Sequence, residues 1–150
     1  MTRREMREHC FKMLFGMGFY PAEEAAEQAK RYFESPKEED TAEDTTPVIL
    51  HQVEMKETEK AFLIARVEDM TEKIQELDKC LNEVAKGWRT GRMGKVELTI
   101  LRQALYEMRY DSEVPEKVAI NEAVDLAKNY GGKDSSAFIN GILAKLVTAE

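Results

Sequence analysis

Histidine, cysteine and tryptophan are all scarce in this chain, and the first two scarcities close off particular chemistries. The two histidines, His9 and His51, lie neither four residues from a second histidine nor inside a cysteine cluster, so no zinc-site spacing exists. The two cysteines, Cys10 and Cys80, fall in helical patterns without metal-like spacing. They read as free, buried thiols of a cytosolic protein rather than as a disulfide. Glycines are few, and the run "GWRTGRMGK" lacks P-loop spacing and is followed by Val96 rather than Ser or Thr. A nucleophile elbow of the form G-x-S-x-G is missing. Carboxylates are plentiful enough that pairs arise by chance on a charged face, so no enzyme, metal or cofactor is expected. No apolar run approaches the ~18–20 residues that span a bilayer. The start "MTRREMREHC" lacks the apolar stretch and small-residue cleavage pattern of a secretory signal. No alternating apolar run is long enough for a sheet, and no internal repeat is evident.

What the chain does hold is charge and helical period. Its 150 residues match one domain, a size that buries roughly 68–70% of the unfolded surface. Apolar residues make up 43% and charged residues 34%, the balance of a charged soluble protein. The formal charge of -7 argues against a broad, non-specific nucleic-acid binder. That charge is unevenly spread. Residues 34–47, "ESPKEEDTAEDTTP", set six acids against one lysine and read as a flexible acidic linker. Between Lys86 and Arg109 six basic residues face Glu97 and Glu107. Outside the linker the molecule is closer to neutral, with positive regions.

The apolar spacing is helical throughout, so an all-α fold is expected. Met6, Cys10, Met13, Leu14 and Met17, with Phe11 and Phe15, define a first helix. Pro21 suits the start of a second, with Ala22, Ala25, Ala26, Ala29, Tyr32 and Phe33 as its apolar positions. "VILHQVEMKE" is compatible with a short strand, a helical turn or a helix entry. Leu63, Val67, Met70, Ile74, Leu77, Leu81 and Val84 then step by fours and threes, predicting one long amphipathic helix with a narrow seam. A coiled coil is the alternative use of that seam. Gly87, Gly91 and Gly94 make the basic run a loop, and a helix from about Val96 to Arg109 follows with Leu98, Leu101, Leu105 and Met108 inward. Pro115 disfavours helix at Val114. "EKVAINEAVDLAKNY" ends at Gly131, expected as a left-handed cap. Asp134 or Ser135 is expected to cap the last helix, "SAFINGILAKLV".

The first helix carries Arg3 and Arg7 in line with Cys10 and Leu14, and Arg4 in line with Phe11 and Phe15. Cations in a first turn oppose the helix dipole by ~0.3–1 kcal/mol each. An external anion such as a nucleic-acid backbone would offset that cost. A solvated terminus with Glu5 and Glu8 as internal partners is the other reading, and both stay open at this point.

"VELTILRQALYEM", then "VPEKVAINEAVDLAKNYGGKDSSAFINGILAKL", closely resembles the NusB family of bacterial transcription antitermination factors. "REHCFKMLF" and the N-terminal arginines match that family's first helix more loosely. The resemblance implies an all-helical fold of about six or seven helices in two small packed bundles. It further implies a cytoplasmic factor that binds the boxA element of nascent ribosomal RNA leaders. That binding is shared with the ribosomal protein also called NusE, within the RNA polymerase antitermination complex. The implied RNA surface is Arg3, Arg4, Arg7, Arg102, Tyr130, Asp134 and Phe138, and Glu97 matches a position facing NusE. Tyr130 and Phe138 are of the type that stacks on unpaired bases. Core packing for Phe138, an ion pair for Arg102 and helix capping for Asp134 are the plainer roles. Asn121, Glu122 and Asn140 are expected to tie the two C-terminal helices by hydrogen bonds, with Gly141 permitting close approach. The chain departs from the family pattern at Glu5, at Ala137 and in the acidic linker. A helical scaffold that holds NusE without RNA is the alternative function, and self-association into a homodimer is left open. A NusB-like domain also precedes a methyltransferase domain in some proteins, but no glycine-rich cofactor domain follows within these 150 residues.

Overall fold

A computed structural model describes residues 1–18, 20–33, 55–85 and 90–149. The acidic segment 34–47, the ambiguous residues 48–54 and the basic residues 86–89 lie outside the described residues. Among the described residues the structure is all-helical, with seven α-helices and no strand. These are α1 (Arg3–Met17), α2 (Ala25–Arg31), α3 (Glu57–Glu72), α4 (Ile74–Val84), α5 (Lys95–Tyr110), α6 (Glu116–Tyr130) and α7 (Ser135–Ala149). Short 3-10 turns at Ala22–Glu24 and Thr90–Arg92 lead into α2 and α5. The chain divides into two compact units, Met1–Thr71 and Glu72–Glu150.

In the first unit, α1 buries Cys10, Phe11, Met13, Leu14 and Met17, the stripe its spacing predicts. Its N-terminus is closed by a capping box. Thr2 Oγ1 accepts from Glu5 N at 3.0 Å and Thr2 N donates to Glu5 Oε1 at 2.9 Å, which satisfies two of the orphan amides of the first turn. The second helix is shorter than its apolar pattern suggests. Ala29 is buried, Ala26 is exposed, and Tyr32 and Phe33 lie beyond the helix end. Those two aromatics connect the unit instead: Tyr32 Oη lies 2.6 Å from His9 Nδ1, and Lys60 Nζ of α3 sits 5.7 Å above the Phe33 ring. Leu63, Val67 and Met70 of α3 are buried.

The predicted seam helix is not continuous. It breaks at Lys73, whose φ of -100° and ψ of 6° leave the helical region. Two residues earlier, Thr71 Oγ1 donates to the Val67 carbonyl at 2.8 Å, a side-chain bond that loosens and bends a helix. Threonine is not a helix breaker in itself, so spacing alone does not reveal the break. Buried seam residues therefore divide between the units, Leu63, Val67 and Met70 in the first and Leu77 and Leu81 in the second.

The second unit is built around α5, which packs against α4, α6 and α7. Ile100, Leu101, Ala104 and Leu105 are essentially closed off from solvent, while Leu98 and Met108, expected inward, are only half-buried. Ala119, Ala123, Leu126 and Ala127 form the inner stripe of α6, and Ile139, Ile142, Leu143 and Leu146 that of α7. The expected tie between these two helices is not made by the amides. Asn121 and Asn140 are both exposed, and a Cβ added at Gly141 would meet nothing within 4 Å, so that glycine permits no close approach. The helical phase explains this: Asn121 sits two residues from each of the buried Ala119 and Ala123, on the opposite side of the helix.

Candidate functional site

Residues 130–135 form the turn between α6 and α7, and its geometry is set by small groups. Gly131 follows Tyr130, the last residue of α6, and its N–H donates to the Ala127 carbonyl at 2.8 Å. Its φ of -97° and ψ of -178° are extended, so the expected left-handed cap is absent. Glycine is needed there for space. An added Cβ would lie 2.6 Å from Ser135 Cβ and 2.9 Å from the Ala127 oxygen. Ser135, 6% exposed, fills that space and uses its hydroxyl twice. Ser135 Oγ accepts from Gly132 N at 2.9 Å and donates to Glu97 Oε2 in the first turn of α5. Glu97 is itself packed closely, since its Oε1 would lie 2.5 Å from a Cβ on Gly94.

Of the two expected capping residues, Asp134 takes the position before α7, where its carbonyl accepts from Phe138 N at 3.2 Å. The Asp134 side chain is exposed, and Tyr130 and Phe138 are half-buried. Tyr130, Asp134 and Phe138 thus gather around one turn: an aromatic at the end of α6, another in the first turn of α7, and a carboxylate between them. Periodicity alone favours core packing for Phe138. The structure leaves Phe138 only half-buried.

Arg102 is held in place. Its Nε donates to Asp78 Oδ1 at 2.8 Å and its Nη2 to Asp78 Oδ2 at 2.7 Å, a two-pronged pair between α5 and α4. Both side chains are about one-fifth exposed (20% and 22%), so the fork is oriented while remaining reachable. Asp78 was not singled out from the sequence. Its only local signal is an acid next to the seam residue Leu77 and about one turn before Leu81, which says nothing of Arg102, 24 residues away. Glu97, expected at a protein interface, accepts from Ser135 within its own unit.

On α1 of the first unit, Arg3 and Arg4 are exposed and Arg7 is half-buried. Glu5, which breaks the run of arginines, faces back onto the helix start. The Thr2 amide it accepts holds its carboxyl below the usual carboxylate range, with the nearby N-terminal ammonium and His9 adding to the effect. Glu59 in the first turn of α3 plays a parallel part. It accepts from Lys56 N at 2.9 Å and from the Met1 ammonium at 3.2 Å, and the Lys56 amide is the leading cause of its lowered pKa. The sequence signal for the α1 cap was present in "TRRE", a threonine with a glutamate three residues on.

Among the described residues no group of three or more His, Cys, Asp or Glu side chains is placed to hold a metal ion. No helix there is long and apolar enough to cross a membrane. Cys10 is buried, Cys80 is half-buried, and neither forms a disulfide among the described residues.

The chain matches the NusB family over residues 4–148. It is 46% identical over 147 residues to the transcription antitermination protein NusB of Lachnoclostridium phytofermentans, covering 98% of this chain and 99% of the relative. It is 40% identical over 145 residues to the protein of the same name from Agathobacter rectalis, covering 97% and 98%. In three dimensions it is similar to a crystal structure of T. maritima NusB, with a TM-score of 0.72 and 25% identity, covering 99% of this chain and 92% of the other.

Proposed function

Since the chain belongs to the NusB family and is a non-enzymatic transcription antitermination factor, we propose that it acts by holding boxA-type single-stranded RNA. It does so in the cytoplasm, together with ribosomal protein NusE, as part of the RNA polymerase antitermination complex. The observation that carries this reading is the α6–α7 turn, where two partly exposed aromatics flank a backbone pinned by Ser135. Single-stranded RNA is held by such stacking surfaces, with cations along the backbone adding salt-dependent affinity. Tyr130 and Phe138 supply the stacking surface, and Asp134 presents an acceptor to base N–H groups. Arg102, which gives two of its five N–H donors to Asp78, adds a partly exposed cation. Arg3, Arg4 and Arg7 supply phosphate contacts from α1. Glu5 does not silence them, because its carboxylate is turned to Thr2.

The test is a titration of fluorescent boxA RNA, with and without NusE, across a salt series. With about three phosphates neutralised, log affinity falls with log salt at a slope of about -2, from ~0.7 per phosphate on a single strand. Changing Arg3, Arg4 and Arg7 together to Ala should flatten that slope, and an unaltered slope removes the α1 arginines from the interface. NusE capture without measurable RNA binding would replace this reading with that of a protein-binding scaffold.

A further inference from the structure

Glu97 and Ser135 are 38 residues apart in sequence, yet they share a hydrogen bond at the base of the α6–α7 turn. The turn itself has few side chains of its own to fix it. It carries two consecutive glycines, and Gly132, Lys133 and Asp134 are exposed. Its local backbone bonds, Gly131 N to Ala127 O and Ser135 N to Gly132 O, hold each end to its own helix. The Ser135 hydroxyl does something different. It accepts from the Gly132 amide within the turn and donates a hydrogen bond to a carboxylate on a third helix. Glu97 is in turn backed by Gly94, whose missing side chain leaves room for the carboxylate. The first turn of α5 therefore sets where the turn lies, and with it the spacing of Tyr130 and Phe138.

We propose that Glu97 is a positioning residue for RNA recognition, acting through Ser135 to hold the two aromatics at the separation that sequence-selective stacking requires. The inference rests on the RNA-binding reading above. It assigns Glu97 a task inside its own unit. Phosphate contacts tolerate a loose turn, because Coulomb attraction is weakly directional. Stacking on particular bases does not tolerate it, because both rings must meet their bases at once. The latch is thus a determinant of selectivity and leaves the number of backbone contacts untouched.

The experiment compares the full chain with its Glu97→Ala, Glu97→Gln and Ser135→Ala variants. Each is titrated with boxA RNA and with a scrambled RNA of equal length across a salt series, and amide exchange at Gly132 is followed alongside. Glu97→Ala and Ser135→Ala should weaken boxA binding about tenfold, the scale of one hydrogen bond to a charged group. Scrambled-RNA affinity and the salt slope should stay unchanged, and the Gly132 amide should exchange faster. Glu97→Gln retains an oxygen that accepts the Ser135 hydroxyl and should remain within about twofold of the parent. The proposal is overturned if Glu97→Ala discriminates as well as the parent, if it loses both RNAs equally, or if Glu97→Gln is as impaired as Glu97→Ala. Loss of NusE capture with boxA binding intact would also overturn it, by returning Glu97 to a partner interface. A parent chain that fails to prefer boxA RNA over the scrambled strand sinks the RNA reading itself, a result separate from all of these.

Discussion

Cutting the Arg102–Asp78 pair tests how the second unit holds α4 against α5. The pair is two-pronged, with N···O distances of 2.8 and 2.7 Å, and each side chain is about one-fifth exposed. Fully exposed pairs contribute ~0.2–1 kcal/mol, whereas breaking a buried pair costs ~3–5 kcal/mol. One-fifth exposure with fork geometry places Asp78→Ala between these limits, at about 2 kcal/mol. For a chain of this length each kcal/mol moves the melting temperature by ~2–4 °C, so a fall of ~4–8 °C is expected. The assay is thermal and urea unfolding of the parent, Asp78→Ala, Arg102→Ala and the double variant. The resulting cycle should give a coupling of ~1–2 kcal/mol, above the ~0.5 kcal/mol by which independent sites fail to add. Arg102→Lys keeps the charge but loses the fork, and should recover less than half of the coupling. A coupling under ~0.5 kcal/mol would refute the reasoning, because the pair would then behave as an ordinary solvated one. RNA binding separates the roles further: Asp78→Ala frees the guanidinium and should leave boxA affinity at least as high, while Arg102→Ala should lower it.

The α1 capping box predicts that Thr2→Ala destabilises the helix by ~1 kcal/mol, read as lost helicity and a lower melting temperature. Its pH dependence has a definite sign. The folded-state pKa of Glu5 is lowered from 4.5 by the Thr2 amide, so its contribution is complete above that value and disappears as pH falls through the lower folded value. Acid melts of Glu5→Gln should therefore converge with those of the parent below pH 4.5, and curves that stay parallel from neutral pH into acid contradict the assignment. Two glycines should respond with opposite signs. Gly131→Ala forces a Cβ to 2.6 Å from Ser135 and should cost ~1–3 kcal/mol, whereas Gly141→Ala enters open space in an exposed helical position and should stabilise by up to ~1 kcal/mol. Denaturant midpoints that move the same way for both would discredit the account of the turn.

Much of the molecule was legible in one dimension because helix burial follows a local rule. The stripes Cys10–Phe11–Leu14–Met17 and Ile139–Ile142–Leu143–Leu146 are each set by residues three and four apart, and both are buried as spaced. The resemblance in residues 96–146 likewise carried the family, and the family match bears it out. The exposure of Asn121 also lay within reach, since it falls between two inward alanines on the opposite face. So did the Thr2–Glu5 box, a local signature.

What the tertiary structure alone decided were the partnerships across helices and the break within one. Arg102 with Asp78 and Ser135 with Glu97 join residues 24 and 38 positions apart, and no local period encodes which side chains of two helices come face to face. That choice follows from the rotation and offset of each helix against its neighbours, a property of the packed unit. The division of the long seam at Lys73 is of the same kind. Apolar spacing continues across it unchanged, and only the backbone reveals that the two halves serve different units. Sequence therefore fixed which faces are buried, while packing determined which polar groups meet, because burial depends on the chain's own period and pairing depends on a second surface.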